Sequence, residues 1–427
     1  MKKFLLALLF LALATVLFAA GKAEEVEEEK PVTVTMFHTY GEGSKKAARD
    51  NWFAKFDAKY PEVLLDRTRF SLSDCHQKLL TSIAAGTPPD LVNNHYYYFP
   101  QYASRNQLEP LEPYFEKIGV DPKEVFYSSA LEMGMYNGVL YSVPQFTYSR
   151  ALLYNKNMFR AAGLDPEKPP KTWDELVEVA KKLTVWDGNK LVAAGFQPPR
   201  PDEKEHLVNY FIMMVWQQGG DIFTSDLSKV TLNTPQCINA LNFYSDLFNT
   251  HKLSTVTFGA GSQAAQKPFL IGQSAMMVGG NYDLVFAQQT GQDIEVGAAP
   301  LPIPEGGQYA SILDSFNIAM LKSSKNKDAA WKVVEYVASQ EAQREFAVLS
   351  ANYPARKDAV DDPFFSDPSM KAFIDSMEYA RAIPPLPQWS EIQEILSNAI
   401  ESVLIGKSDS VTALREAENR INTVVLK

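Results

Sequence analysis

The stretch AAGTPPDLVNNHYYYFPQY, residues 84–102, ends a helix, begins a strand and then crowds four tyrosines, a histidine and two asparagines together. Gly86 follows the last helical turn and Pro88-Pro89 forbid its continuation. Leu91 and Val92 open an apolar strand. Upstream the same alternation recurs. VTVTMF (32–37) alternates as a strand does. Residues 45–60 set Ala48, Trp52, Phe53, Phe56 and Tyr60 on one helical stripe. VLLDRTRF (63–70) is a second strand, and 73–85 a second helix with Leu79, Leu80 and Ile83 inward. Strands alternating with helices at this spacing predict an α/β fold with βαβ units and a parallel sheet covered by helices. Ligands of such sheets sit beyond the carboxyl ends of the strands. Both HTYGEG (38–43) and NNHYYY (93–98) fall there.

A second α/β region follows. Residues 141–159 carry a strand, and KTWDELVEVAKKL starts a helix with Thr172 and Glu175 as a capping box. Residues 205–217 form an apolar helix ending at Gly219-Gly220; SFNIAMLKSS (315–324) returns as a strand, and Trp331, Val334 and Val337 line the next helix. Residues 390–426 read as largely helical.

At 427 residues the chain exceeds one ordinary core, so two lobes are expected. MKK followed by the apolar run FLLALLFLALATVLFAA has the layout of a signal peptide, residues 1–20, cleaved near Ala20 on export to the periplasm or another extracytoplasmic space. Residues 21–30, GKAEEVEEEK, are an acidic flexible spacer. Beyond residue 30 the chain keeps 37 basic against 46 acidic residues, a net charge of about −9, which argues against nucleic acid. Cys75 and Cys237 stand far apart without a CxxC and read as buried helix thiols.

Enzymatic signatures are missing: no GxSxG, HExxH, GxxxxGK[ST] or GxGxxG occurs. His95 with Tyr96, Tyr97 and Tyr98 offers oxygen and nitrogen ligands for a hard cation such as ferric iron, but adjacent residues do not all converge on one ion. No cofactor or metal is expected. Stacking fits the tyrosines better, because a sugar presents a C–H face to an aromatic plane and hydroxyls to Asn, Asp, Glu, Gln and His. Trp52, Phe56, Trp173 and Trp331 read as core, whereas Tyr97, Tyr282 and Trp389, in loops, read as ligand wall.

AAGTPPDLV, YNGVLYSVPQ, LLYNKNMFRAAGLDP, PKTWDELVEVAKKLT, WQQGGDIF, GQSAMMVGGNY, GAAPLP and SSKNKDAAWKVVEYVASQEAQREF, in this order, resemble the extracellular solute-binding proteins of ABC importers. The sugar-binding group that includes the maltose binders is the most similar. The resemblance implies a two-lobed periplasmic-binding-protein fold with a hinge and an interlobe ligand cleft. It assigns residues 31–142 and 312–345 to the N-terminal lobe and 146–308 and 350–427 to the C-terminal lobe, with crossings near Ser142–Pro144, Ile303–Ser311 and Ser350.

The ligand-binding set it implies begins with Tyr40 and Glu42 after the first strand. Asn94 falls where maltose-binding relatives have a stacking Trp, and Tyr97 and Tyr98 replace an acidic and a basic residue; His95 stands between. Gln145 and Tyr148 come from VPQFTYS, Gly280 and Tyr282 from MVGGNY, and Asp314 and Ser315 from a lobe crossing where relatives carry a Gly pair. Trp389 matches a late cleft aromatic, Trp216 is either cleft or core, and Arg356 either binds ligand or pins the hinge. The function implied is capture of a mono- or oligosaccharide by a monomer that is not an enzyme and that delivers it to a membrane permease. Arg356 is the only cleft cation found in this reading, which favours a neutral sugar over a glycerol-phosphate ester. Binding of such an ester or of ferric iron on the same fold, and a secreted glycoside hydrolase, are the alternatives.

Overall fold

The computed structural model describes residues 30–41, 44–260, 266–289 and 294–426. The expected signal peptide, all of the spacer but Lys30, and Glu42 lie outside the described residues.

Eight strands carry the architecture: β1 (Val32–His38), β2 (Val63–Arg69), β3 (Leu91–His95), β4 (Ser142–Tyr148), β5 (Arg150–Asn155), β6 (Met276–Gly280), β7 (Val296–Ala299) and β8 (Asp314–Met320). The first sheet has the order β2-β1-β3-β8-β4. The expected parallel pairing holds for β1 with β2 and β3, but β8 runs antiparallel to both β3 and β4. The reason is where β8 comes from. It enters from the second lobe at the end where β1 and β3 finish, so it must run the other way. A smaller sheet, β6-β5-β7, is antiparallel throughout.

The first sheet is covered by helices α1 (Ser44–Lys59) and α2 (Leu72–Ala84). Helix α3 (Lys204–Gln217), almost wholly apolar and buried, is the axis of the second lobe, and α4 (Asn281–Gln289) follows β6. Helices α5 (Lys327–Ala338) and α6 (Gln340–Ser350) return to the first sheet, and α7 (Trp389–Leu404) packs beside α3. The predicted stripe of α1 is buried as far as Phe56, with Trp52 and Phe56 meeting Tyr336 of α5. Ser71 caps α2 by accepting the Asp74 N–H at 3.2 Å. Cys75 and Cys237 are both buried, and burial pushes their thiols up to about 12 and about 11.

The chain passes from the first sheet to the second at Ser149, between β4 and β5, rather than near Ser142–Pro144, because β4 stays in the first sheet through Tyr148. It returns at Leu313, next to the expected crossing, and leaves again after α6. These passages are tied together. Thr147 and Tyr353 exchange backbone hydrogen bonds of 2.7 and 2.9 Å, and the Ser311 hydroxyl accepts the Arg150 N–H and donates to the Arg150 carbonyl, both at 2.9 Å. Pro144 sits in β4, an edge strand where a missing N–H is tolerated. The buried Gln343 amide donates to the Pro144 carbonyl at 2.7 Å and accepts the Ala355 N–H at 2.8 Å, joining α6, β4 and the third passage.

Candidate functional site

At the carboxyl end of β3 the backbone turns into one turn of 3₁₀ helix, Tyr96–Tyr98. The Tyr96 hydroxyl accepts the Ile383 N–H at 2.7 Å, Tyr97 donates to Glu205 at 3.1 Å, and Tyr98 stacks on His76 at 4.3 Å. Burial raises all three phenols, Tyr98 to about 12. The Tyr97 and Tyr98 rings stay in contact, 4.6 Å between centres, while Tyr96 turns away to Ile383.

The centre of the site is Asp314, 1% exposed at the start of β8. One carboxylate oxygen lies 3.3 Å from His95 Nε2, and the other is 3.6 Å from the Arg150 guanidinium, without a hydrogen-bond partner among the described residues. Burial alone would raise the Asp314 carboxyl, but His95 and Arg150 outweigh it and hold it below the usual carboxylate range. His95 Nε2 is also 3.1 Å from the Tyr148 hydroxyl and 3.7 Å from Glu205.

Arg150 opens β5, immediately after the lobe passage at Ser149, and is 4% exposed. It donates to the Tyr282 hydroxyl at 3.0 Å, and its ring contact with Tyr148 is 4.9 Å. Its other terminal nitrogen faces His206 Nδ1 at 3.3 Å. Burial, then Arg150, lowers the His206 pKa, which keeps that imidazole a neutral acceptor. Gly280 lets these groups close up, since a Cβ there would stand 2.5 Å from the Tyr282 ring and 3.0 Å from the Arg150 guanidinium. Its N–H goes to Asp283 at 2.8 Å, and burial lifts the Asp283 carboxyl to about 6.

Lys45, in the first turn of α1, completes the wall. Its ammonium lies 4.4 Å from the Tyr282 ring centre, 5.0 Å from Phe316, 5.6 Å from Tyr148 and 5.7 Å from Phe146. Burial draws the ammonium down to about 8, with Arg150 adding to the shift and Asp283, Glu205 and Asp314 opposing it.

Of the residues expected to bind ligand, His95, Tyr97, Tyr148, Tyr282 and Asp314 come together, with Gly280 beneath them. Glu42 lies outside the described residues, and the other described ones are placed as follows. Tyr40 is buried among His38, Trp52, Phe53 and Phe346 and donates to Gln145 at 2.6 Å, so both belong to the first lobe's interior. Asn94 is buried in the sheet, its side-chain Oδ1 accepting the His95 N–H at 2.8 Å. Ser315, one residue past Asp314, points to the opposite face and donates to Asn317. Tyr98 is turned onto His76.

Trp216 is 2% exposed within α3, its face covered by Arg381 at 4.4 Å, and Trp389 is fully buried at the start of α7 near Phe223. Both are core. Arg356 is held by Asp358 at 2.8 and 2.7 Å and by the Ala338 carbonyl at 2.9 Å, so it ties down the segment after α6. The premise that Arg356 is the only cleft cation therefore fails: Arg150 and Lys45 occupy the junction instead.

Lys45, Arg150, Glu205 and His206 were missed by the reading of the sequence. Arg150 carried a signal, being a charge inside the apolar strand RALLYN. His95 Nε2, a Glu205 oxygen and an Asp314 oxygen lie within 4.8 Å of one another, a spacing a metal ion can bridge. The Arg150 guanidinium beside Asp314 opposes a second cation there.

The sequence model of the bacterial extracellular solute-binding proteins matches residues 43–344. An ABC transporter solute-binding protein from Thermotoga lettingae, bound with α-D-tagatose, superposes with a TM-score of 0.83 at 26% identity over 93% of this chain and 100% of its own. An ABC substrate-binding protein from Listeria monocytogenes, in complex with cycloalternan, gives 0.82 at 25% identity over 92% and 98%. The maltotriose-binding protein of Pyrococcus abyssi is 27% identical over 338 residues, 78% of this chain and 69% of its own.

Proposed function

The chain belongs to the bacterial extracellular solute-binding proteins, and from that premise we propose that it captures a carbohydrate between its two lobes and delivers it to an ABC permease. The observation that carries this reading is the composition of the junction. Tyr148 and Phe316 from the first lobe and Tyr282 from the second offer ring faces, beside the acceptors and donors of Asp314, His95, Glu205 and Arg150. Ring faces suit the C–H side of a sugar, and charged groups already oriented by one another suit its hydroxyls.

The likeness to proteins that bind tagatose, cycloalternan and maltotriose supports the same class of ligand. The mechanism is capture without chemistry. Groups from both lobes contact the ligand at once, so ligand favours the closed arrangement by its differential affinity for that state. The site we assign comprises His95, Tyr97, Tyr148, Tyr282 and Asp314, with Lys45, Arg150 and Glu205 added. We place the protein outside the cytoplasmic membrane as an exported monomer with a cleaved leader. Among the described residues no helix is long and apolar enough to cross a membrane.

A thermal-shift screen of the chain from Lys30 onward against mono- and oligosaccharides tests the reading, because a ligand that binds only the folded state raises the melting temperature. A rise with one sugar family, the sugar being recovered intact, is the expected result. Turnover of the sugar, or no rise with any sugar, would refute it.

A further inference from the structure

We propose that the captured sugar carries an anionic substituent, a uronate carboxylate or a phosphate ester, and that Lys45 is the residue that selects for it. This rests on the carbohydrate reading above and narrows it.

The charged groups of the junction are largely committed to one another. Asp314 lies against His95 and Arg150, Glu205 receives the Tyr97 hydroxyl, Asp283 takes the Gly280 N–H, and Arg150 donates to Tyr282. Lys45 is different. Its ammonium is surrounded by the rings of Phe146, Tyr148, Phe316 and Tyr282, drawn from both lobes. Among the described residues no carboxylate lies within 4 Å of it and no acceptor takes its protons; its neighbour Lys46, by contrast, pairs with Asp50 at 2.6 Å. Ring faces attract a cation, but they leave its three N–H donors without a lone pair to meet. A half-buried ammonium in that condition is a binding group awaiting an acceptor.

A hydroxyl would satisfy the donors, but the neighbouring charge favours an anion. Arg150 shares two of the same rings, 4.9 Å from Tyr148 and 5.8 Å from Tyr282. Two cations thus flank one pair of rings. Asp283, Glu205 and Asp314 oppose that repulsion, but none lies within 4 Å of the ammonium, and each is engaged elsewhere, by the Gly280 N–H, by the Tyr97 hydroxyl, and by His95 with Arg150. A ligand carboxylate or phosphate beside Lys45 relieves that repulsion, whereas a neutral hydroxyl does not. The bond it forms is also the stronger, charge-assisted kind.

The test is calorimetric titration of the chain from Lys30 onward with three ligand sets. These are galacturonate and glucuronate with their short oligomers, the neutral galactose and glucose counterparts, and the corresponding hexose phosphates. The expected result is that one acidic set binds about 10- to 150-fold more tightly than its neutral counterpart, the range of a hydrogen bond to a charged group. Which acidic set binds separates the uronate from the phosphate source. In Lys45→Met and Lys45→Gln the ratio of acidic to neutral affinity falls to near one, with far-UV circular dichroism unchanged. The wild-type preference declines above pH 8, as the ammonium loses its proton. Equal affinity for acidic and neutral sugars, or a ratio unchanged in both variants, overturns the inference and leaves the carbohydrate reading standing. Heat from none of the three sets also overturns the inference, and the carbohydrate reading is then decided by the wider thermal-shift screen.

Discussion

Removing the Asp314 carboxylate tests whether the junction is held by its charges. In Asp314→Ala the Arg150 guanidinium, 4% exposed, loses the carboxylate 3.6 Å away, and His95 loses its contact at 3.3 Å. Breaking a buried ion pair from one side costs about 3–5 kcal/mol, because the other charge stays buried and unmatched. Arg150 keeps Tyr282 and His206 as neighbours, so the lower end, about 3 kcal/mol, is expected. Urea denaturation at pH 7 followed by tryptophan fluorescence measures it. The sign of the pH dependence follows from the direction of the Asp314 shift. Its carboxyl is held below the usual range, so its stabilisation is complete above the unfolded value of about 3.9 and is lost as pH falls below that. The gap between wild type and variant therefore narrows from pH 7 to pH 3. In the double variant Asp314→Leu with Arg150→Met, both charges are gone and the loss falls to about 1 kcal/mol or less. A loss under about 1 kcal/mol in the single variant, or a double variant no more stable than the single, would refute the reasoning.

Three further outcomes follow. Gly280→Ala brings a methyl within 2.5 Å of the Tyr282 ring, so the ring must swing away, lowering stability by about 1–3 kcal/mol and weakening ligand binding; melting and titration read both effects. Asp283, lifted to about 6, folds more easily protonated, so it costs stability as pH rises from about 4 to 6. Asp283→Asn should then gain on wild type at pH 7, by about 2–3 kcal/mol, and gain nothing at pH 4, as paired denaturation curves will show. Gln343→Ala leaves the Pro144 carbonyl and the Ala355 N–H without their shared partner, at about 1–3 kcal/mol for each buried group, measured by urea midpoint.

The helix stripes of α1 and α5, the GTPP stop and the strands around it were legible because each is written in local periodicity. The direction of β8 was not, since it depends on the side from which the chain returns. The passage at Ser149 was misplaced for a related reason: β4 and β5 read as one extended run, with no Gly or Pro between them to mark the change of sheet. At the site, the alternation of a strand decides everything by one residue. Asp314 faces the junction and Ser315 the interior, yet both stood in the same motif. Tyr40 and Gln145, placed by resemblance near a ligand, are hydrogen-bonded to each other in the core. Glu205 and His206 were hidden at the start of α3, where polar residues ordinarily mark only a helix end facing water.

The strand order β2-β1-β3-β8-β4 also sets a timetable. In the first sheet β3 and β4 do not pair with each other; β8 lies between them and pairs with both. That strand is encoded some 220 residues after β3, so the first half of the chain leaves the ribosome with the middle of its sheet missing. Closing so long a loop is slow compared with forming local helices. The early half therefore cannot complete its sheet until the late strand arrives.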